Sequence, residues 1–342
     1  MGIELTLKRS NVIQKSRIKM LIERICTKIM LGKNIKCIAC GSRVTAELQN
    51  VFDTRFGIEE AWDICWCPAC GLEQTYPVST PEEIKNLYET YYNFGGEKGT
   101  LYTRLRAYFF SSVFYRFWLA IDGDVSFHLE KGLGRLLDIG CNEGRGLCIY
   151  KKNWFAVQGL ESNEQAAAEA RKRGYNVYTG PLEKFQPEEP YDVVVLSNVL
   201  EHSLAPKKML SHVRRILKPG GQVWISCPNN RSWLRYLFGR YWINWHVPFH
   251  ITHFSKHTLT SLLEKTGFKI QKLKQESPAL WVAHSLIVRL FAKQGQPTKQ
   301  LRNPLLVATL MLVIRALFFP ILWFGNRIGR GDCLVIIAKK SD

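Results

Sequence analysis

The sequence predicts an α/β protein built on a parallel sheet with helices on both faces. Three observations carry this. Between residues 135 and 227, short apolar runs alternate with amphipathic stretches, the pattern of repeated βαβ units. The first run, "RLLDIGCNEGRG", stops at an acid and drops into a glycine-rich loop, as strands of open parallel sheets do at their ligand-binding edge. Finally, 342 residues at 46% hydrophobic content supply one large core with room for additions.

The elements follow in order. Residues 1–36 read as a basic, amphipathic helical arm. Residues 37–80 hold two cysteine pairs. Residues 81–130 form a helical linker or lid, "PEEIKNLYETYY" and "LYTRLRAYFFSSVFYRFWLAI", split by the breaker "NFGGEKG". The core, 131–277, runs through the strands "RLLDIG", "FAVQGLE", "NVYTG", "YDVVVLSN" and "QVWISCP" with helices between them. Aromatics and histidines interrupt that rhythm over 228–256, before the helix "TLTSLLEKTG" and the strand "FKIQKLK". An apolar helical insertion fills 278–330, and "DCLVIIAKK" returns within 331–342 as the last strand of the core.

The loop limits the ligand. Asp138 and Gly140 stand at the strand end, and Gly140, Gly144 and Gly146 let backbone approach a ligand closely. A dinucleotide fingerprint would need glycines at 142 and 145, where Asn142 and Arg145 stand, and no Gly-Lys-Ser/Thr completes a phosphate loop. An acid before the loop repels pyrophosphate and suits a cationic amino group. Glu161 ends the next strand, where a carboxylate grips ribose hydroxyls. The ligand is therefore nucleoside-like with a positive end, and S-adenosylmethionine (SAM) fits both halves.

At these residues the chain resembles class I SAM-dependent methyltransferases, over roughly residues 130–275 and the closing strand. "LLDIGCNEG" is similar to the family's first motif, "GLESNEQAAAEAR" to its second, and "YDVVVLSNVLEHSLAPKKMLSHVRRILKPGGQVWISCPN" to its fourth strand through fifth. Asn142 departs from the family, where glycine is more usual. The resemblance implies a Rossmann-like sheet and a set of roles. Asp138 and the backbone around Gly140 and Cys141 would face the methionine part, with Gly144 in the loop. Glu161 would bind ribose, with Ser162 beside the adenine. Leu182 and Glu183 would lie against the adenine, and Ser197 and Asn198 would close the pocket below the sulfonium. Plainer readings stand beside these: Gly144 and Gly146 as packing glycines, and Asp138 as a helix cap.

Methyl transfer from a sulfonium is in-line displacement, in which positioning supplies much of the rate and a base helps a hydroxyl acceptor. The candidates are His202 in "LEHS", after the fourth core strand, and His250 and His253 in "FHITHFS", after the fifth. The spacing of the latter two suits one helical turn or a loop. His202 also reads as a structural or acceptor-positioning residue. His246, His250 and His253 together form a further, weaker set of metal ligands.

"CIACGS" and "CWCPACGLEQ" place Cys37, Cys40, Cys67 and Cys70 in two C-x-x-C-G knuckles, with Cys65 just outside. Paired knuckles are the pattern of a closed four-thiolate structural zinc site. A redox C-x-x-C is the alternative, and two copies argue against it.

A net charge of +18 points to an anionic partner: acidic headgroups, nucleic acid or a charged substrate. The first 30 residues lack the h-region and cleavage site of a secretory signal, and the ten cysteines do not suit a small disulfide framework. The expected location is cytoplasmic, peripheral at the inner membrane face. The run 305–324 is long enough to span a bilayer, but Pro320 is expected to interrupt it after about 15 residues, favouring a helix in the interface. Arg mixed with Trp, Tyr and Phe in "SWLRYLFGRYWINW" suits the same boundary. The layout of cysteine knuckles, SAM core and "H-x-x-H-F" resembles methyltransferases of bacterial polysaccharide clusters, which implies a small-molecule or glycan hydroxyl, such as a lipid-linked sugar, as acceptor. The alternatives are an RNA methyltransferase that reads RNA with its zinc ribbon, and a non-catalytic SAM-fold adaptor.

Overall fold

The computed structural model describes residues 35–92 and 112–341. The expected arm, except Ile35 and Lys36, the breaker "NFGGEKG" and the first part, "LYTRLRAYFFS", of the helix expected after it lie outside these residues.

The cysteine region forms an antiparallel meander: β1 (Thr45–Phe52), β2 (Ala61–Trp66) and β3 (Glu73–Tyr76). Helix α1 (Pro81–Tyr91) follows. Thr80 and Glu83 cap its start reciprocally, and Pro81 takes the first turn, where a missing N–H costs nothing. Next comes α2 (Val113–Asp122).

The main sheet then builds as β4 (Arg135–Ile139), α3 (Arg145–Lys152), β5 (Ala156–Glu161), α4 (Glu164–Lys172), β6 (Val177–Thr179), β7 (Tyr191–Ser197), α5 (Pro206–Ile216) and β8 (Leu217–Pro228). After it come α6 (Trp233–Phe238), β9 (Thr252–His253), α7 (Lys256–Lys265), β10 (Phe268–Glu276), α8 (Ala279–Phe291), α9 (Pro304–Arg327) and β11 (Cys333–Lys340). The strand order is β10-β11-β8-β7-β4-β5-β6, with β4 to β8 parallel and β11 antiparallel to both neighbours.

Both faces of the sheet are covered, as its apolar strands require. Leu137, Ile139, Val194, Leu196, Val223 and Ile225 pack one face against α5 and α7. Leu136, Val193, Val195 and Trp224, the alternate residues of the same strands, pack the other against Phe127, Tyr150 and Phe155.

The small sheet is completed by the core itself. Its order is β1-β2-β3-β9, with Glu73 opposite His253 and Gln74 opposite Thr252. The histidine-rich segment after β8 is thus zipped onto the cysteine module. A buried ion pair, Arg235 to Glu73 at 3.2 Å, strengthens the seam. Buried Asp332, just before β11, accepts hydrogen bonds from Ser232, Trp242 and Asn244 and ties the segment to the main sheet.

The expectation of a helix break at Pro320 is wrong: α9 runs unbroken through it. Proline removes one N–H and crowds the carbonyl four residues back. Here Pro320 and Ala316 are both exposed, so the freed Ala316 carbonyl can turn to solvent. The helix is moored at its middle. Arg315 bonds the Asp122 carboxylate, and its Nη2 donates to the backbone carbonyls of Asp122 and Ser277, both at 2.7 Å.

Candidate active site

The glycine loop lies at the carboxyl ends of β4 and β5. Asp138 is buried, and its carboxyl is pushed up to about 8, by burial first and by the neighbouring Glu161 second. A Cβ on Gly146 would stand 3.0 Å from the Asp138 carboxylate, so this glycine makes room for the acid. Gly140 has φ +71°, and a Cβ there would meet Val199 at 2.8 Å. Gly144 starts α3 at φ +77° against Ala170. Cys141 is buried beside Gly159, facing the packing interior.

Asn142, the departure from the family pattern, holds φ +49°. Asparagine tolerates that region better than other side chains. Its Nδ2 donates to the Gly140 carbonyl at 3.1 Å, and its backbone N–H donates to Glu161 Oε2 at 2.9 Å. Glu161 Oε1 accepts from the Asn163 N–H at 2.9 Å. The second acid is thereby oriented by backbone at the end of β5. Ser162 follows it at 3.5 Å. Leu182 is buried in a 3₁₀ turn after β6, and Glu183 beside it is exposed. Ser197 and Asn198 close the end of β7: the Ser226 hydroxyl donates to Ser197 at 3.2 Å, and Asn198 takes φ +54°.

Next to this cleft, the 3₁₀ turn Leu200–His202 sets Glu201 and His202 against the segment from His246 to His250. The His202 and His250 rings are 4.7 Å apart, and the His246 and His250 rings 4.9 Å. His202 Nδ1 donates to the Phe249 carbonyl at 2.9 Å, and His250 Nδ1 to the Asn244 carbonyl at 2.8 Å. Each ring therefore presents its Nε2 lone pair. Burial pushes His202 down to about 4 and His250 well below the usual imidazole range, so both are neutral at neutral pH. Glu201 is 1% exposed, and burial pushes its carboxyl up to about 8.

Helix α1 roofs the cluster. The Tyr88 hydroxyl lies 3.0 Å from His202 Nδ1, and Tyr92 lies 2.7 Å from His246 Nε2. Burial first, then the ionisable groups of Tyr92, Glu201 and Glu161 around it, push the Tyr88 phenol far up. Phe56 and Phe249 complete the aromatic wall.

The geometry divides the three histidine candidates. His202 and His250 meet. His253 belongs to β9 instead, with Nε2 2.9 Å from the Thr75 hydroxyl and its ring against Trp245. The i, i+3 spacing falls on extended backbone, which aims the two side chains apart. The sequence reading missed Glu201, Tyr88 and Tyr92. "LEH" was the available signal for Glu201; nothing local marks tyrosines that reach their partners 114 and 154 residues away.

The four expected cysteines come together, with every pair of sulfurs within 4.8 Å. Cys37 and Cys70 are 3.6 Å apart, and Cys40 and Cys67 3.5 Å. Gly41 and Gly71 take φ near +75°, closing each knuckle with an N–H bonded to the Cys37 or Cys67 carbonyl at 2.8 Å. Cys65, two residues before Cys67, is buried outside the cluster.

Among known proteins, the family model for the methyltransferase domain matches residues 98–273, just over half of the chain. A probable S-adenosylmethionine-dependent methyltransferase of Mycolicibacterium smegmatis is 32% identical over 140 residues, covering 40% of this chain and 52% of the relative. The ubiquinone biosynthesis O-methyltransferase of Rickettsia prowazekii is 31% identical over 154 residues, covering 41% and 60%. The chain thus spans only about half to three fifths of these curated relatives. Among solved structures, a possible histamine N-methyltransferase of Thermotoga maritima aligns with TM-score 0.43 and 20% identity, covering 70% of this chain and 99% of that one. The Burkholderia thailandensis 1,6-didemethyltoxoflavin-N1-methyltransferase aligns with TM-score 0.46 and 15% identity, covering 86% and 100%. On the family match, the chain belongs to the methyltransferase-domain family, and the domain it carries is of the S-adenosylmethionine-dependent kind.

Proposed function

We propose that the protein transfers the methyl group of SAM to a hydroxyl of a small-molecule or glycan acceptor, such as a lipid-linked sugar, at the cytoplasmic membrane face. The observation that carries the reading is the adjacency of two sites. The acids Asp138 and Glu161 stand at neighbouring strand ends, β4 lies beside β7, and Val199, which leads into the Leu200–His202 turn of the histidine cluster, packs over Gly140. Asp138 suits the ammonium of the methionine part and Glu161 the ribose diol. Gly140, Cys141 and Gly144 form the cradle, Ser162, Leu182 and Glu183 border the adenine, and Ser197 and Asn198 lie below the sulfonium.

On the acceptor side, a neutral His202 offers a lone pair to the incoming hydroxyl. It is a weak base, so alignment of the oxygen with the sulfonium supplies more of the rate than proton removal does. His253, bonded to Thr75, serves the wall of the site rather than the transfer.

The cysteine cluster fits a structural zinc ion. Four sulfurs within 4.8 Å of one another, on two glycine-closed knuckles, form a soft and complete donor set. Cys37, Cys40, Cys67 and Cys70 would hold it. Their module carries β3, which pairs with the histidine-bearing segment, and α1, which roofs the site, so the ion would fix the acceptor wall from outside.

The membrane reading is supported by α9. It is long and apolar enough to cross a bilayer, and only 17% of its most apolar stretch is buried in the protein. Arg315, at its middle, is committed to Asp122 inside the protein, which favours a helix lying along the surface over one crossing the bilayer. Phe114 and Phe117 of the adjacent α2 are also exposed, and basic charge dominates the chain.

The test is methyl transfer from radiolabelled SAM into lipid-linked glycan, soluble sugar nucleotide and RNA fractions. Label in a glycan fraction supports the reading. Label confined to RNA, with salt-sensitive RNA binding, favours the ribonucleic acid alternative. SAM binding with no transfer to any fraction favours the adaptor.

A further inference from the structure

We infer that Glu201, His202 and His250 form a second metal site, distinct from the four cysteines, that takes a divalent first-row transition ion. One ligand atom from each residue lies within 4.8 Å of the others. Glu201 is 1% exposed, and neither carboxylate oxygen has a hydrogen-bond partner among the described residues. The neutral His250 ring stands with Nε2 4.0 Å from a Glu201 oxygen, outside hydrogen-bond reach. A buried carboxyl group without partners is costly, and an ion bound there would hold it as the carboxylate.

The two imidazoles are held as metal ligands are held. Each donates Nδ1–H to a backbone carbonyl, Phe249 for His202 and Asn244 for His250, which fixes the tautomer and aims the Nε2 lone pair. The spacing is somewhat wider than bonds of about 2.1 Å span, a slack that small rotamer adjustments close.

Two nitrogens and one carboxylate select manganese, iron, cobalt or zinc ions over magnesium or calcium. Three protein ligands leave coordination positions open. Glu201 and His250 are buried and His202 is partly exposed, so the site is approached from the His202 side. An ion there would take up the His202 Nε2 lone pair, so it would replace that imidazole's contact with the acceptor and hold the hydroxyl oxygen itself, as a Lewis acid. Its service to an acceptor rests on the methyl-transfer reading; the site itself rests only on the three side chains.

The test is titration of the purified full chain with Mn2+ alone, followed by the electron paramagnetic resonance of the free ion, with S-adenosylhomocysteine binding measured on the same sample. Manganese avoids thiolate sites, so the cysteine cluster does not contribute. The expected result is one bound equivalent, weakened by more than about tenfold in Glu201→Gln and in His202→Gln. Wild-type protein that binds no Mn2+, or variants that bind it unchanged, would overturn the inference. Mn2+ binding without S-adenosylhomocysteine binding would leave the metal site standing and remove the methyl-transfer reading; the converse would remove the metal site alone.

Discussion

At the scale of single residues, the donor cleft depends on where two acids stand and on what lets backbone pass between them. Asn142 is the instructive case. Its φ of +49° and its bond back to Gly140 let an asparagine occupy a position where relatives use glycine. Asn142→Gly should therefore fold and bind S-adenosylhomocysteine normally, whereas Asn142→Ala should lose about 1–2 kcal/mol of stability, read by denaturant unfolding. Equal stability of the two variants would contradict the strain argument. Asp138 and Glu161 were legible in the sequence because one is the next-to-last and the other the last residue of a strand whose apolar run is unmistakable. Tyr88 and Tyr92 were not, because their helix is brought over the site by a β-pairing between distant segments. His253 misled for a related reason: three-residue spacing groups side chains on a helix and separates them on a strand.

At the scale of elements, α9 shows how one buried pair governs a long apolar helix. Asp122 and Arg315 bury their charges together, so removing one strands the other. Arg315→Ala should cost about 3–5 kcal/mol in chemical denaturation, while the less exacting pairs on the surface, such as Lys85 with Glu89, should cost under about 1 kcal/mol. The helix's outer face makes the opposite demand. Leu317 and Ile321, 67% and 54% exposed one turn apart, should contribute to membrane binding and little to folding. Leu317→Asp with Ile321→Asp should reduce flotation with anionic vesicles by about tenfold or more at unchanged thermal stability. Unchanged flotation would place the membrane contact elsewhere or remove it. The helix was legible as an apolar run; its continuity through Pro320 was not, because that depends on which side of the helix faces solvent.

At the scale of the whole molecule, the cysteine module, the histidine segment and the main sheet are one structure joined by β3–β9 pairing and by buried Asp332. The parallel sheet and its helices follow from local pattern, and the sequence shows them almost complete. The joining of the two sheets has no local signature, since β9 is only two residues long. If zinc holds the module, then removing it with a chelator should weaken the acceptor wall at a distance. The expected result is loss of hydrogen-exchange protection across β1–β3, β9 and α1, at a cost of several kcal/mol, with β4–β8 still protected. Equal protection with and without metal would show that the module stands on its own core.

The central claim, that this chain binds an adenosyl amino acid between Asp138 and Glu161, is tested most directly by calorimetric titration with S-adenosylhomocysteine in buffers of different ionisation heat. Free Asp138 keeps its proton up to about pH 8, whereas the ligand's ammonium requires the carboxylate. Binding at neutral pH should therefore be micromolar, release up to one proton, and tighten as pH rises before levelling off above about 8. Asp138→Ala or Glu161→Ala should abolish it in folded protein. No binding by folded wild-type chain, or normal binding by either variant, would contradict the account.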